Sequence, residues 1–340
     1  MKRLILAAAL LMCGCSAKAS EKYTRELFAM DTYMSLTAYD CGGDSSCSAE
    51  GALSEAVECI TLLERELSVT MSESDISILN SSAGEPAAVG GDALSIIGTS
   101  LEISAQTDGA LDITVYPLVR EWGFTTGEYK VPEDEVIQSL LTNVGYERIS
   151  VEGGTVTVPQ GTEIDLGALA KGYAGGRAVE ILREHGVTSA ILDLGGNVCA
   201  LGAKPDGTPW RVAVADPDNS SEYLGILDVE DRFVVTSGKY ERYFEGNNGR
   251  IYHHIIDPKT GMPSENGVKA VTVIGSDGTR CDALSTALLV MGEERSVRYW
   301  REYGGFDMLL LTDDRRVLIT SGISDSFRLS SNCEISVITI

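Results

Sequence analysis

The sequence predicts an α+β fold with mixed or antiparallel sheets and packed helices. Apolar residues recur at helical spacing in several stretches, while in others β-forming residues alternate with polar ones. The two kinds of stretch do not follow a regular strand–helix–strand rhythm, which disfavours a doubly wound parallel sheet. The chain also has no internal repeat, low-complexity tract or long linker. We therefore expect one main body, with room for a smaller inserted lobe.

The first predicted helix shows the pattern on which the helix assignments rest. Leu53, Val57 and Ile60 recur at intervals of three or four residues, with charged residues between them. The same spacing predicts helices at residues 50–67, 93–107, 132–141, 168–185 and 283–291. Runs of β-forming residues predict strands at 33–39, 156–158, 190–194, 210–215, 233–236, 271–274 and 308–311.

The charge balance excludes one class of function. The 340 residues include 50 acidic and 27 basic side chains, which gives a net charge of -23. Such a protein repels nucleic acids and anionic lipid headgroups unless basic residues are concentrated in one place. No basic run is longer than the pair Arg315–Arg316. We therefore expect no nucleic-acid partner.

The first residues have the layout of an export signal. Lys2 and Arg3 precede a short apolar stretch, which is too short for a permanent membrane span, and Gly14-Cys15-Ser16 follows. A small residue before the cysteine resembles a bacterial lipoprotein signal, in which Cys15 is lipidated; a plain cleaved signal is the alternative. We divide the chain into a signal at 1–14, a lipidated tether at 15–26 and one domain at 27–340. The expected location is the periplasmic or extracytoplasmic side of a bacterial membrane.

The six cysteines that follow Cys15 fall into two groups. Cys41 and Cys47 flank a Gly/Asp/Ser loop, and their spacing permits a disulfide outside the cytoplasm without requiring one. The other four lie among apolar residues, which indicates core positions, and they are Cys59, Cys199, Cys281 and Cys333. No CxxC zinc pattern occurs.

Two polar segments are candidates for ligand binding. In residues 107–124, Asp112 and Thr114 alternate with apolar residues, so they would share one face of an extended segment; a solvent-facing strand is the alternative. In residues 163–176, Asp165 is placed like a helix N-cap, and Lys171 falls in the early turns, where free N–H groups can bind phosphate. A capped core helix with one exposed lysine explains the second segment equally well.

Two further segments carry groups suited to catalysis or metal binding. His253 and His254 are adjacent, so on a strand they point to opposite faces and cannot readily share a metal ion. One histidine therefore remains available as a base. Asp282, Ser285 and Thr286 lie on one face of a helix start and offer hard oxygen donors for Mg²⁺. An N-cap aspartate with helix-start hydroxyls is the alternative interpretation.

Seven short motifs occur in order along the chain. They are Met30-Asp-Thr, Ser74-Asp-Ile-Ser-Ile-Leu-Asn80, Gly109-Ala-Leu-Asp-Ile-Thr-Val, Asp165-Leu-Gly-Ala-Leu-Ala-Lys-Gly-Tyr, Leu194-Gly-Gly-Asn197, His254-Ile-Ile-Asp-Pro-Lys-Thr-Gly and Asp282-Ala-Leu-Ser-Thr-Ala. Each motif alone is weakly specific. Together they resemble the ApbE family, the FAD:protein FMN transferases, over about residues 27–311.

The resemblance implies a T-fold-like body with FAD in a cleft and assigns roles to individual positions. The implied Mg²⁺ ligands are Asp282, Ser285, Thr286 and a backbone carbonyl at Ala168. The implied FAD contacts are Met30, Thr70, Ala110, Leu111, Asp112, Asp165, Lys171 and Ile256. His254 matches a histidine proposed in the family as the base, and Asp282 is the second catalytic residue. Thr70 stands where many members carry an aromatic residue.

The implied reaction is a Mg²⁺-dependent transfer of FMN from FAD to a threonine hydroxyl, with release of AMP. The acceptor would be an exported or membrane flavoprotein subunit. Two alternatives remain from the sequence, namely an FAD pyrophosphatase that releases FMN and AMP, and a lipoprotein that binds flavin without catalysis. The sequence identifies neither the acceptor nor the oligomeric state.

Overall fold

The computed structural model describes residues 20–40, 47–219 and 221–339. The predicted signal at 1–14, the lipidation site Cys15 and the loop residue Cys41 lie outside this part; Cys47 is disulfide-bonded. Residues 22–26, expected in the tether, instead belong to the first strand, which pairs with the second along its whole length. No helix in the described ranges is long and apolar enough to cross a membrane.

The described residues form seven helices and seventeen strands. The helices are α1 Ala49–Leu67, α2 Asp75–Ser81, α3 Gly91–Gln106, α4 Tyr116–Glu121, α5 Asp134–Leu141, α6 Ala170–Glu184 and α7 Gly278–Tyr303. The strands are β1 Lys22–Ala29, β2 Thr32–Tyr39, β3 Ala87–Ala88, β4 Ser150–Glu152, β5 Thr155–Thr157, β6 Ala190–Asp193, β7 Asn197–Leu201, β8 Trp210–Ala215, β9 Tyr223–Val229, β10 Arg232–Gly238, β11 Tyr243–Glu245, β12 Ile251–His253, β13 Val268–Gly275, β14 Asp307–Thr312, β15 Arg316–Thr320, β16 Phe327–Leu329 and β17 Glu334–Ile338.

A nine-stranded sheet organises the fold. Its order is β1-β2-β6-β7-β10-β13-β14-β15-β17, and every neighbouring pair is antiparallel except β15 and β17. Side chains alternate between its faces, as a strand requires. Val235 and Val273 join the core beneath α1, α3, α6 and α7, whereas Val234 and Ile274 pack against the three-stranded sheet β16-β9-β8. The predicted α+β class with mixed sheets is therefore confirmed.

A third, smaller cluster lies beside the cleft described below. Its buried members come from α4, α5 and the segment around β12, and they are Leu118, Trp122, Phe124, Ile137, Tyr252 and Ile256. The Trp122 indole donates a 2.9 Å hydrogen bond to the Gly261 carbonyl, which ties the two segments together. This cluster supports the loop that carries His254.

The five predicted helices are all present, and four of them begin and end within two residues of their predicted bounds. The extended segment predicted for Asp112 and Thr114 is wrong. Residues Ile113–Val115 form a 3-10 turn that leads into α4. Asp112 caps this turn through a 2.9 Å hydrogen bond from the Thr114 amide, and both side chains are buried. The alternation of polar and apolar residues reflects local capping, and neither side chain faces solvent.

The N-cap role predicted for Asp165 is also wrong. Helix α6 begins five residues later, at Ala170, and its N-cap residue Leu169 makes no side-chain capping bond. Asp165 instead accepts a 3.1 Å hydrogen bond from the Gly167 amide, within the loop that precedes the helix. Helix α7 extends beyond its predicted ends, and it is Asp277, not Asp282, that caps it.

Helix α7 contains a break that the sequence marks with a glycine. Gly292 adopts φ 76° and ψ 176°, which leaves carbonyl groups of the preceding turn without helical partners. The Asn266 side chain donates hydrogen bonds to the Leu289 carbonyl at 2.7 Å and the Val290 carbonyl at 3.0 Å. The helix therefore continues past the break as far as Tyr303.

Helices α6 and α7 approach each other at two glycines. A Cβ atom on Gly172 would lie 2.7 Å from the Asp282 Cβ and closer still to the Gly278 carbonyl oxygen, while Gly278 faces the Gly172 backbone in return. Such separations exclude any side chain at either position. Gly176, one turn along α6, has no such neighbour within 4 Å.

The glycines of α6 provide a paired test of this packing. We expect Gly172→Ala to lower the free energy of unfolding by about 1–3 kcal/mol, because its methyl group overpacks the helix contact. We expect Gly176→Ala to raise it by about 0.5–1 kcal/mol, because alanine favours the helix and meets no neighbour. Urea unfolding of both variants measures the difference, and equal effects of the same sign would contradict the packing argument.

Candidate functional site

Two adjoining cavities lie between the start of α6, the end of β10 and the tip of hairpin β1–β2. The Met30 cavity has a volume of about 290 Å³, and the Asp282 cavity has a volume of about 230 Å³. Five residues line both cavities, and they are Thr125, Asp165, Gly167, Lys171 and Arg242. The shared wall makes the two cavities parts of one cleft, with both of its cationic side chains at the junction.

Most of the candidate residues line this cleft. Met30 and Thr70 line the Met30 cavity, and Asp165 and Lys171 line both. The Asp282 cavity is lined by Leu111, Asp112, Ala168, His254, Ile256, Asp282 and Thr286. Ala110 and Ser285 line neither cavity and are buried in the fold.

Asp282 is fixed by the contact between α6 and α7. One oxygen of its buried carboxylate accepts a 2.8 Å hydrogen bond from the Gly172 amide. Burial raises the pKa of this carboxyl, and the Lys171 ammonium acts in the opposite direction. No hydrogen bond within 3.5 Å engages the second carboxylate oxygen, although the Asn197 amide lies close enough to the carboxylate to lower its pKa. This second oxygen is the one available to a cation.

The two hydroxyls near Asp282 differ in their surroundings. The Ser285 hydroxyl donates to the Asp282 carbonyl at 2.8 Å and lies 2.8 Å from the Ser237 hydroxyl, which sits on the cavity wall. The Thr286 hydroxyl lines the cavity and has a single, longer contact of 3.3 Å with Ser237. Of the two hydroxyls, that of Thr286 is therefore the better placed to contact an ion or molecule bound in the cavity.

His254 has a defined orientation. Its Nδ1 lies 3.2 Å from the Arg242 carbonyl oxygen, which can only accept, so Nδ1 carries the proton and Nε2 is unprotonated. Burial and the neighbouring Arg242 charge lower the pKa of His254 to about 3. The ring is therefore a neutral base with a free nitrogen.

His253 points elsewhere, as its position on β12 predicts. Its Nε2 lies 3.0 Å from the Ser264 carbonyl oxygen, and it lines neither cavity. Burial lowers the pKa of His253 to about 4. The two histidines therefore do not form a joint metal site.

Two of the candidate carboxylates have different tasks. Asp112 accepts hydrogen bonds from the Thr114 hydroxyl at 2.6 Å and the Tyr146 amide at 2.9 Å, so its oxygens already hold the cavity wall in shape. Asp165 lies at the junction, where burial raises the pKa of its carboxyl and the nearby Arg242 and Lys171 charges oppose that rise. Asp165 is therefore the better placed of the two to contact a ligand.

Several residues of the cleft were absent from the predicted set. Arg242 lines both cavities, and Glu241, Asn197 and Ser237 line the Asp282 cavity. Glu241 is solvent-exposed in the open cleft, and desolvation by the surrounding walls raises the pKa of its carboxyl to about 7. Residues 237–242 form a mainly polar stretch that includes the last two residues of β10 and the four that follow. Polar residues at the end of a buried strand were the available signal.

The donor set fits a hard cation only with help from a ligand. The described residues contain no cluster of three or more His, Cys, Asp or Glu side chains that could hold a metal ion. One carboxylate, one hydroxyl and the Ala168 carbonyl are oxygen donors of the kind that Mg²⁺ accepts, and phosphate oxygens commonly complete such a shell. Cation and phosphate would therefore bind together.

The chain matches known proteins along most of its length. The model of the ApbE family matches residues 30–310. A curated FAD:protein FMN transferase from Treponema pallidum is 32% identical over 335 residues, which cover 93% of this chain and 91% of that protein. The Escherichia coli K12 transferase is 32% identical, with 88% and 89% covered.

Solved structures agree with these matches. The ApbE protein of Thermotoga maritima has a TM-score of 0.80 and 32% identity, and the match covers 87% of this chain and 96% of that one. The apo flavinyl transferase ApbE of Pseudomonas stutzeri has a TM-score of 0.80 and 28% identity, with 92% and 98% covered. From its sequence, its fold and the cleft between α6 and β10, we conclude that this chain belongs to the ApbE family.

Proposed function

We propose that this enzyme transfers the FMN part of FAD to a threonine hydroxyl of another protein, with Mg²⁺ as cofactor and AMP as leaving group. One observation carries the proposal. Two cationic side chains stand where the two cavities join, and the Asp282 carboxylate and a neutral histidine line the cavity on one side of that junction. This is the combination that transfer from a diphosphate requires.

The diphosphate of FAD suits the junction between the cavities. FAD has a flavin half and an adenosine half joined by two phosphates, and the cleft has two compartments that share Lys171 and Arg242. In a chain with a net charge of -23, these two side chains supply local positive charge for an anionic ligand. A guanidinium also pairs with phosphate oxygens through two parallel hydrogen bonds.

Asp282, Thr286 and the Ala168 carbonyl would hold Mg²⁺. When bound, the ion would withdraw electrons from the phosphate under attack and neutralise charge on the departing group. The Gly172 amide holds one oxygen of Asp282, which leaves the other for the ion.

His254 would act on the acceptor. Its unprotonated Nε2 takes the proton of the threonine hydroxyl as the threonine oxygen forms a bond to the FMN phosphorus. The bond from that phosphorus to the bridging oxygen breaks, and AMP leaves with this oxygen. The Arg242 carbonyl keeps the ring in the tautomer that this step needs.

The acceptor and location belong to the same proposal. The acceptor would be an exported or membrane flavoprotein subunit with a reachable threonine, and Cys15 would carry the lipid that holds the enzyme at the extracytoplasmic face of the membrane.

The reaction can be tested directly. We expect the purified chain, incubated with FAD, Mg²⁺ and a threonine-bearing acceptor subunit, to add one FMN mass to the acceptor and release AMP, and EDTA to abolish both. Intact-mass analysis and nucleotide chromatography measure the products. An unmodified acceptor with free FMN and AMP would identify a pyrophosphatase instead, and unchanged FAD would indicate a carrier.

The state of His254 can be tested without substrate. We expect ¹⁵N NMR of the ligand-free protein to show this ring neutral, with a proton on Nδ1, from pH 8 down to pH 5, because a pKa of about 3 lies below that range. The chain has three histidines, so the signal missing from His254→Gln assigns it. Protonation with a midpoint near 6.5 would contradict the proposed environment.

We also expect His254→Gln to slow transfer about 100- to 10,000-fold.

The metal ligands can be separated by a matched pair of variants. We expect Thr286→Val to raise the Mg²⁺ concentration for half-maximal rate roughly tenfold or more, because an isosteric group replaces the proposed ligand. We expect Ser285→Ala to leave that concentration unchanged and to lower the free energy of unfolding by about 1 kcal/mol, because its hydroxyl bonds within the fold. A Ser285→Ala enzyme with the larger Mg²⁺ effect would reverse the assignment.

A further inference from the structure

The motif Leu194-Gly-Gly-Asn197 has no role in the reaction described so far. Gly195 and Gly196 form the turn between β6 and β7 with φ of 68° and 94°. A Cβ atom on Gly195 would lie 2.6 Å from the Thr32 Cγ2 atom, so this turn packs against the hairpin β1–β2 without room for a side chain. The turn places Asn197 at the first position of β7, on the wall of the Asp282 cavity.

The side chain of Asn197 is buried and incompletely bonded. The residue is 3% exposed, and its amide nitrogen makes no hydrogen bond with the described residues. The Asn197 backbone carbonyl accepts a 2.9 Å hydrogen bond from the Leu194 amide. The missing hydrogen bond is therefore one that the side-chain amide would donate. A buried amide without a partner costs stability that an apolar residue of the same shape would not. The position therefore indicates a partner from outside the chain.

The surroundings define the chemistry of that partner. The Asn197 amide is near enough to Asp282 to lower the pKa of its carboxyl, but no hydrogen bond within 3.5 Å joins them. Lys171 and Thr286 line the same cavity. A ligand that satisfies a neutral N–H donor among these groups must present an acceptor oxygen, and next to Lys171 a negatively charged oxygen is favoured.

We propose that Asn197 donates a hydrogen bond from its side-chain amide to a phosphate oxygen of the diphosphate in the Asp282 cavity. The proposal rests on the proposed function for the identity of that diphosphate as part of FAD. Asn197 would then contact the substrate directly. Its side-chain amide, which lacks a hydrogen-bond partner in the ligand-free enzyme, would gain one when the substrate binds.

The test exploits opposite effects on stability and binding. We expect Asn197→Leu to leave the Tm of the ligand-free chain unchanged or higher, because it removes an unsatisfied buried amide. We expect its Kd for ADP with Mg²⁺, measured by calorimetry, to rise about 10- to 100-fold, the usual loss of a hydrogen bond to a charged group. The kcat/KM for FAD should fall in parallel.

A control variant separates this role from a structural one. The amide of Asn266 is used within the fold, so Asn266→Leu should lower the Tm and leave the Kd for ADP unchanged. An unchanged ADP affinity in Asn197→Leu would overturn the proposal, as would a fall of its Tm like that of Asn266→Leu.

Asn197→Asp tests the direction of the hydrogen bond. It keeps an acceptor oxygen but replaces the donor with a negative charge, so ADP should bind more weakly than to the wild type. Tighter binding of ADP with Mg²⁺ would show that the residue at position 197 contacts the metal ion and not a phosphate oxygen, and would overturn the proposal. A wild-type chain that binds ADP but transfers no FMN would refute the proposed function while leaving the phosphate contact open to the same binding measurements.

Discussion

The close approach of α6 and α7 is the constraint on which the cleft depends. Gly172 and Gly278 lie backbone against backbone, and only there can the Asp282 carboxylate reach an amide of the opposite helix. The same approach carries Lys171, one residue before Gly172, to the junction of the cavities. A larger residue in this contact would separate the carboxylate from the amide that orients it.

The rest of the cleft is assembled around that contact from distant parts of the chain. The sheet contributes Ser237 and Asn197 from the ends of neighbouring strands, and the small aromatic cluster supports the loop that carries His254. A rigid scaffold thus supplies oxygen donors, cations and a base from separate elements. Neither cavity alone contains both Met30 and His254, so a ligand that engages both must extend through the junction.

The sequence predicts five of the seven described helices because their apolar spacing is regular, whereas the short helices α2 and α4 were not predicted. It predicts Asp282 and His254 because the family motifs mark them. It fails where local hydrogen bonds override periodicity. Asp112 looks like a strand residue but caps a 3-10 turn, and Asp165 looks like an N-cap but bonds within a loop. Arg242 lies in a polar stretch at the end of a buried strand, but that local pattern does not reveal its tertiary contact with His254.

The hairpin β1–β2 would have a mechanical consequence under the proposed lipid anchoring at Cys15. Strand β1 lies at the sheet edge and runs eight residues to the tip, where Met30 forms a cavity wall and its amide donates a 2.6 Å hydrogen bond to Glu64 on α1. A pull along β1 loads all of its ladder hydrogen bonds in shear at once, so they resist together rather than opening one by one. The cavity wall would keep its position while the chain ahead of it is under tension.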